Sequence, residues 1–243
     1  MEILKTKGII LHQVKYSETS LIVKIYTEQC GLQTYIAKGV RKKNAAFKAG
    51  LFQPLNIVDL VAHHNSKKEI QHIKDISCAY YYKSLPFDIK KTSIAIFINE
   101  LLYKSIHEEI PNIDLFNYIS NALTGLDEAS SAFTDFHFVF AMQLTLHLGF
   151  YPHGRYSSYN KVFDLMEGVF KPVHPEHTNY IDGHLCQYFD RIINPENISS
   201  YYFDMPLSYR KLLLEKIIDY YRLHIHVFGN IRSHHVLEAV LHG

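Results

Sequence analysis

Cysteine is scarce in this 243-residue chain: Cys30, Cys78 and Cys186 are an odd number, far apart, and form no C-x-x-C. That argues against a disulfide framework and a cysteine-based zinc site, and points to a reducing compartment. Long apolar runs are missing as well. No stretch approaches the roughly 18 residues needed to span a bilayer, and the run at residues 9–11 is too short for the core of a secretion signal. A soluble, cytoplasmic protein with no membrane partner is expected. Glycine (11) and proline (8) are modest, which sets aside collagen-like and low-complexity material. Net charge is almost absent: 25 Lys+Arg face 24 Asp+Glu, giving +1 with histidine neutral. No P-loop, dinucleotide-binding, nucleophile-elbow or HExxH sequence occurs. With 47% hydrophobic residues the chain is nevertheless able to build a sizeable core, as one large or two small domains.

What is present changes character near residue 80. Before it, five short β-branched runs (residues 9–14, 21–26, 33–38, 55–62 and 69–76) are separated by turn residues. Five strands in about 75 residues suggest a small barrel or sandwich, and a five-stranded Greek-key barrel such as the OB-fold fits the count. Periodicity alone does not separate it from an SH3-like barrel. After residue 86 the repeat becomes helical: Ile89, Ile94, Phe97, Ile98, Leu101, Leu102 and Ile106 lie on one face. A second helix is expected over 112–126 and a third over 133–148, ended by Gly149 with Pro152 beyond. Residues 151–180 read as an irregular insertion with a short hairpin around 163–170. A long helix from Ser208 to about 228 and a last one over 233–241 close the chain. The expected fold is α+β and multi-domain: an N-terminal five-stranded OB-fold barrel, 1–80, then an all-α helical domain, 81–243, carrying the 151–180 insertion.

Divided at that boundary, the charge is no longer neutral. Residues 1–80 hold 12 Lys+Arg against 6 Asp+Glu, a net of +6, which leaves 13 against 18, a net of −5, for the rest. Such asymmetry points to a polyanion partner for the basic part. Five cations, Lys38, Arg41, Lys42, Lys43 and Lys48, fall within eleven residues of the connection between the third and fourth strands. They offer phosphate pairing without base readout, while Tyr16, Tyr26 and Tyr35 on the sheet offer stacking surfaces. The plainer alternative is a solvated loop whose charge aids solubility.

Other constellations weigh less. Sixteen histidines invite a metal, but His63-His64, His224/His226 and His234-His235 have the wrong spacing for one helix face. The set His153, His174, His177 and His184 lies in the irregular segment without cysteine or a dense carboxylate set, so composition is the simpler explanation. Glu108-Glu109 reads as a solvated helix end rather than a catalytic pair. The stripe Phe133, Phe136, Phe140, Leu144 and Leu148 reads as core, with a peptide groove as the sharper alternative. No nucleophile–base arrangement is recognisable, and no enzyme activity is expected.

A family resemblance rests on particular residues. Thr6-Lys7-Gly8-Ile9-Ile10-Leu11 followed by Tyr16-Ser17-Glu18-Thr19-Ser20-Leu21-Ile22-Val23 resembles the opening of the bacterial recombination mediators of the RecO family. Gly31-Leu32, Ala37-Lys38-Gly39-Val40-Arg41-Lys42 and Leu51-Phe52-Gln53-Pro54-Leu55 continue it in order. Leu148-Gly149-Phe150-Tyr151-Pro152 is similar to the family's L-G-Y-x-P step, and Arg232-Ser233 with Leu237 to its C-terminal helix. The dense match covers the first 60 residues. The middle helices match only in pattern.

The resemblance implies an OB-fold with a helical domain and a non-enzymatic role in recombinational DNA repair. It implies binding of single- and double-stranded DNA and annealing of complementary strands. It further implies partnership with RecR and with the C-terminal tail of single-strand binding protein, which indirectly helps load RecA in the nucleoid-associated cytoplasm. The expected DNA-binding residues are Lys15, Tyr35, Lys38, Arg41, Lys42, Lys43 and Lys48. One departure matters: many family members carry a four-cysteine zinc site after L-G-Y-x-P, whereas here no cysteine follows Pro152 until Cys186. No cofactor is therefore expected, and the segment is expected to be held by packing. The rival readings are a protein–protein adaptor without direct DNA binding and a metal-dependent nuclease.

Overall fold

A computed structural model describes residues 2–40, 47–65, 67–194 and 201–241. The chain folds as two compact units, one comprising the residues up to Lys83 together with Ile106–Asp127, the other Ser84–Ser105 and Glu128 onward.

In the first unit, β1 (Glu2–Lys15), β2 (Leu21–Thr27), β3 (Gly31–Ala37), β4 (Ile57–His64) and β5 (Ile70–Cys78) close a barrel in the order β1-β2-β3-β5-β4. All pairs are antiparallel except β3–β5. That is the OB-fold order. β1 is longer than its apolar run because it serves two neighbours, pairing with β4 over Glu2–Ile9 and with β2 from Gly8 onward. A bulge between Ile10 and His12 turns it from one to the other, as barrel closure requires. The interior is filled by Ile10, Val23, Ile25, Tyr35, Ala37, Phe52, Val58, Leu60 and Ala62, each at most 1% exposed.

The row Ile57–Ile9–Tyr26–Leu32 faces outward by register, yet all four are buried. Its cover is the stretch from Ile106 through α2 (Ile113–Glu128). The Tyr26 ring lies 6.2 Å from Phe116, its hydroxyl donates to the Asn112 carbonyl at 3.3 Å, and Leu32 N–H donates to the Glu108 carbonyl at 2.9 Å. Burial, with Glu108 adding to it, pushes the Tyr26 phenol up to about 12. The far end of α2 is fastened by Asp127, 2% exposed, which accepts from Lys83 N–H at 2.9 Å and from the Tyr80 hydroxyl at 3.1 Å. A single cut at residue 80 would place α2 with the other helices, but the apolar outer row of the barrel claims it.

In the second unit, α1 (Ile89–Ser105), α3 (Phe136–Leu148), α4 (Gly183–Ile193), α5 (Leu207–His224) and α6 (His234–Leu241) surround a core centred on α3. Phe138, Met142 and Leu144 on α3 are fully buried, which is why its sequence has no polar face. Gly149, at φ +86°, ends α3 in the left-handed conformation. Phe150 then stacks on His224 at 5.2 Å, and the Tyr220 and Tyr221 hydroxyls donate to the Phe150 and Ala141 carbonyls. Across the unit Glu100 accepts from the N–H groups of Arg232 and Ser233, capping α6 from α1. α4 was not expected from the sequence, although Leu185, Cys186, Phe189, Ile192 and Ile193 give it a clear apolar stripe.

The insertion holds a small sheet, β7-β6-β8, of Val169–Lys171, Val162–Asp164 and Tyr180–Ile181. Phe163, Phe170 and Phe189 pack at 4.5–6.4 Å between ring centres beneath it. Its polar centre is Asp164, fully buried, which accepts from Lys171 Nζ at 2.9 Å and from Met166 and Glu167 N–H, with His177 Nε2 at 3.4 Å. Burial opposes the charge, but the Lys171 and backbone donors outweigh it and hold the carboxyl below its usual range. A folded-state pKa below the unfolded value means stability that is present above the unfolded pKa and lost as acid protonates the group. Asp164→Asn is therefore expected to lower the Tm at neutral pH and to flatten the acid limb of a Tm–pH profile. An unchanged acid limb would refute this role.

Candidate nucleic-acid interface

Beyond the Ile9–Tyr26–Leu32 row, the outer face of β1–β2–β3–β5 is left uncovered by α2. Register aligns two neighbouring rows across the four strands, His12–Lys24–Thr34–Ile70 and Val14–Ile22–Ile36–His72. Alternation sends Val23, Tyr35 and Gln71 inward and these eight outward, where each is exposed or half-exposed. At about 4.8 Å per strand the surface is roughly 14 Å wide, enough for a single extended strand to lie across it. Val14 and Ile70, at opposite corners, are 46% and 41% exposed, with Ile22 and Ile36 on the strands between them.

Two turns frame the surface. The β1–β2 turn is closed by Tyr16 N–H to the Ser20 carbonyl at 3.1 Å and presents Lys15 and the 65%-exposed Tyr16. The β4–β5 turn is held by the buried Gln71 side chain, which bonds Asn65 N–H and carbonyl and the Lys68 carbonyl at 2.6–3.0 Å, leaving Lys68 exposed. Lys38 emerges just past β3, and Lys74 continues the outward line of β5. Glu18 and Glu69 are the carboxylates at the margins. The electrostatic coupling is visible on the histidines: burial first, then Lys38, Lys68 and His63, hold His72 below its usual pKa, and burial then Lys24 do the same to His12. The opposite flank is different. A groove of about 350 Å³ there sets Lys5 and Lys7 beside Glu28, Asp59 and Asp75, so the signs cancel.

Of the expected DNA-binding residues, Lys15, Lys38 and Lys48 are exposed. Lys48 stands at the head of a short 3-10 turn, Ala49–Phe52. Arg41, Lys42 and Lys43 lie outside the described residues. Tyr35 requires correction: at 0% exposure it is part of the barrel core and cannot stack on a base. Tyr26 is likewise lost, under α2, and of the three tyrosines only Tyr16 is accessible. The reason is parity. Tyr35 is in phase with Gln33 and Ala37, whereas Lys38 is three positions away and on the other face. The same alternation in residues 21–26 could have found Ile22 and Lys24 on the outer face.

The insertion does not fit a four-thiolate zinc: its segment has no cysteine before the buried Cys186, and among the described residues no group of three or more His, Cys, Asp or Glu could hold a metal ion. His174 pairs with Asp182 and His177 lies beside Asp164. Beside the insertion, within the second unit, a groove of about 440 Å³ runs between β8, the start of α4, and α5, lined by Tyr180, His184, Leu185, Tyr209, Leu212 and Lys216. No helix among the described residues is long and apolar enough to cross a membrane.

A closed five-stranded barrel in this order, with its β2–β3 face open and flanked by the β1–β2 and β4–β5 turns, defines an OB-fold protein of the class that binds oligomeric ligands on that face. The family described as recombination protein O N terminal matches residues 1–82, and recombination protein O C terminal matches residues 86–229. DNA repair protein RecO of Phocaeicola vulgatus is 33% identical over 236 residues, 97% of this chain and 98% of the relative. Those of Bacteroides fragilis and Flavobacterium psychrophilum are 34% and 33% identical over 97% and 98% of this chain, and 98% of each relative. The chain belongs to the recombination protein O family, and its role lies in DNA repair and recombination.

Proposed function

We propose that the outer face of β1–β2–β3–β5 is the DNA-binding surface of a non-enzymatic mediator. It holds single- and double-stranded DNA, anneals complementary strands and, with RecR, helps load RecA onto strands coated by single-strand binding protein. The observation that carries this is the pair of aligned rows, whose Val14, Ile22 and Ile36 offer aliphatic contact to bases and whose Lys24, with the exposed Lys38 and Lys68 at the margins, offers cations to phosphates. Contact of this kind is indifferent to sequence, as annealing any two complements demands. Neutralising phosphates on one strand also lowers its repulsion of a second. The helical unit supplies the protein partner: a C-terminal tail ends in a carboxylate, and the groove beside α5 offers Lys216 and His184 around Leu185 and Leu212. The insertion is held without metal by Asp164 and the phenylalanine cluster.

Each phosphate contact on a single strand contributes about −0.7 to the log–log salt slope. Arg41, Lys42, Lys43 and Lys48 alone give about −3, and adding Lys24 and Lys38 brings it to about −4. K24Q/K38Q is expected to make the slope shallower by about 1.4 and to weaken binding at low salt for every sequence alike. Fluorescence anisotropy on random single-stranded oligonucleotides across a salt series measures both. Unchanged slope and affinity would overturn the assignment of this face, and absence of DNA binding by the unmodified protein would favour an adaptor.

A further inference from the structure

His12 and His72 occupy opposite corners of the two-row surface, His12 on β1 beside Lys24 of β2, His72 on β5 beside Ile36 of β3. Both rings are half-exposed, so they sit at the surface yet partly out of water. The charged groups that face His72 come from three elements: Lys38 at the end of β3, Lys68 in the β4–β5 turn and His63 on β4. Lys24, paired with it across β1–β2, faces His12. We propose that His12 and His72 are phosphate ligands of this face that each take up a proton from solvent as the strand docks, so that DNA binding is proton-coupled; this rests on the DNA-binding reading of the same surface.

The physical reason is a reversal of field. In the free protein partial burial, and after it the lysines, disfavour the imidazolium, and both rings lie below their ordinary value. A phosphate seated among the same lysines cancels their field and adds an anion beside each ring, which favours the charged form. Groups whose pKa rises on binding strengthen binding as pH falls, because the complex then holds more protons than its parts. The sign is fixed: affinity increases on acidification and the gain disappears above the bound-state pKa. Since histidine titrates near neutrality, the effect falls in a physiological window. The lysines supply a constant grip; the histidines add a variable one.

Oligothymidylate is the probe, because its bases stay neutral between about pH 6 and about pH 8. At constant salt, wild-type affinity is expected to rise about tenfold or more from the upper to the lower limit, each coupled proton giving at most tenfold per pH unit. H12Q/H72Q should lose most of the pH dependence, and each single variant about half of it. Calorimetry of the wild type in two buffers of different ionisation enthalpy counts the protons directly. Imidazole titrations by nuclear magnetic resonance, free and DNA-bound, identify two rings that move upward without any substitution. Parallel pH profiles for the wild type and H12Q/H72Q, or no proton uptake by the wild type, overturn the proposal. No binding by the wild type at any pH overturns the DNA reading itself and this proposal with it.

Discussion

Replacing Arg210 by Met destabilises the helical unit by about 3–5 kcal/mol, the range for removing one partner of a buried ion pair. Asp135, fully buried just ahead of α3, accepts from the Arg210 guanidinium and, through its other oxygen, from Phe203 N–H at 2.7 Å. Arg210, 9% exposed on α5, also donates to the Met205 and Phe203 carbonyls at 3.0 and 2.7 Å. One guanidinium thus ties the start of α3, the segment through Phe203 and Met205, and the first turn of α5. Without it a carboxylate and two carbonyls stay out of water with fewer donors. The attraction itself is not the source of stability, since desolvating both charges costs about as much as pairing them returns. The combined D135L/R210M chain is accordingly expected to recover at least half of the loss. Urea unfolding of the wild type, both singles and the double closes the cycle. A single-variant cost below about 1 kcal/mol would show that the pair is replaceable by solvent.

Gly31→Ala is expected to cost the barrel unit about 3–5 kcal/mol, from left-handed strain of about 1–2 kcal/mol plus the loss of a crossing segment. Gly31 has φ +63°, and a Cβ there would stand 2.5 Å from the Ile110 carbonyl oxygen and 2.7 Å from that of Glu108. Both obstacles are backbone, so no rotamer change relieves them. Moving the segment away breaks the Leu32–Glu108 hydrogen bond and lifts the cover from Tyr26. Gly8→Ala is the internal comparison. Its Cβ would lie 2.5 Å from a methyl group of Ile25, a side chain that can repack, so the smaller loss is expected there. Chemical denaturation followed by tyrosine fluorescence ranks the two, and the reverse order would contradict the packing of residues 106–112 on the barrel.

The barrel was legible because strand punctuation is local: turn residues and β-branched runs mark five strands whether or not their partners are known. The face was harder. Lys24 and Ile22 are unremarkable in sequence, and only the pairing of β2 with β1 and β3 sets them in line with His12, Thr34, Val14 and Ile36. Composition led instead to tyrosines, and burial removed Tyr26 and Tyr35 because an aromatic ring that could stack on a base equally fills a core. Helices α1, α3 and α5 were legible from periodicity, while α4 hid behind the glycine, proline and histidine of the insertion that precedes it. The partnership of α2 could not be read at all. Its apolar stripe says that it is covered on one side, not which surface covers it.

The return of α2 to the barrel fixes an order of events on the ribosome. The chain passes between the units three times, at 83/84, 105/106 and 127/128, so the two halves are stitched rather than strung. All five strands emerge before the segment that shields Ile9, Tyr26, Leu32 and Ile57, with α1 made in between for the other unit. A nascent barrel has its strand ladders but is greasy on one flank until some fifty further residues have been synthesised. No protease cut at one loop can separate the two halves, since one fragment always keeps a piece of the other, and a fragment ending after β5 inherits the exposed flank permanently.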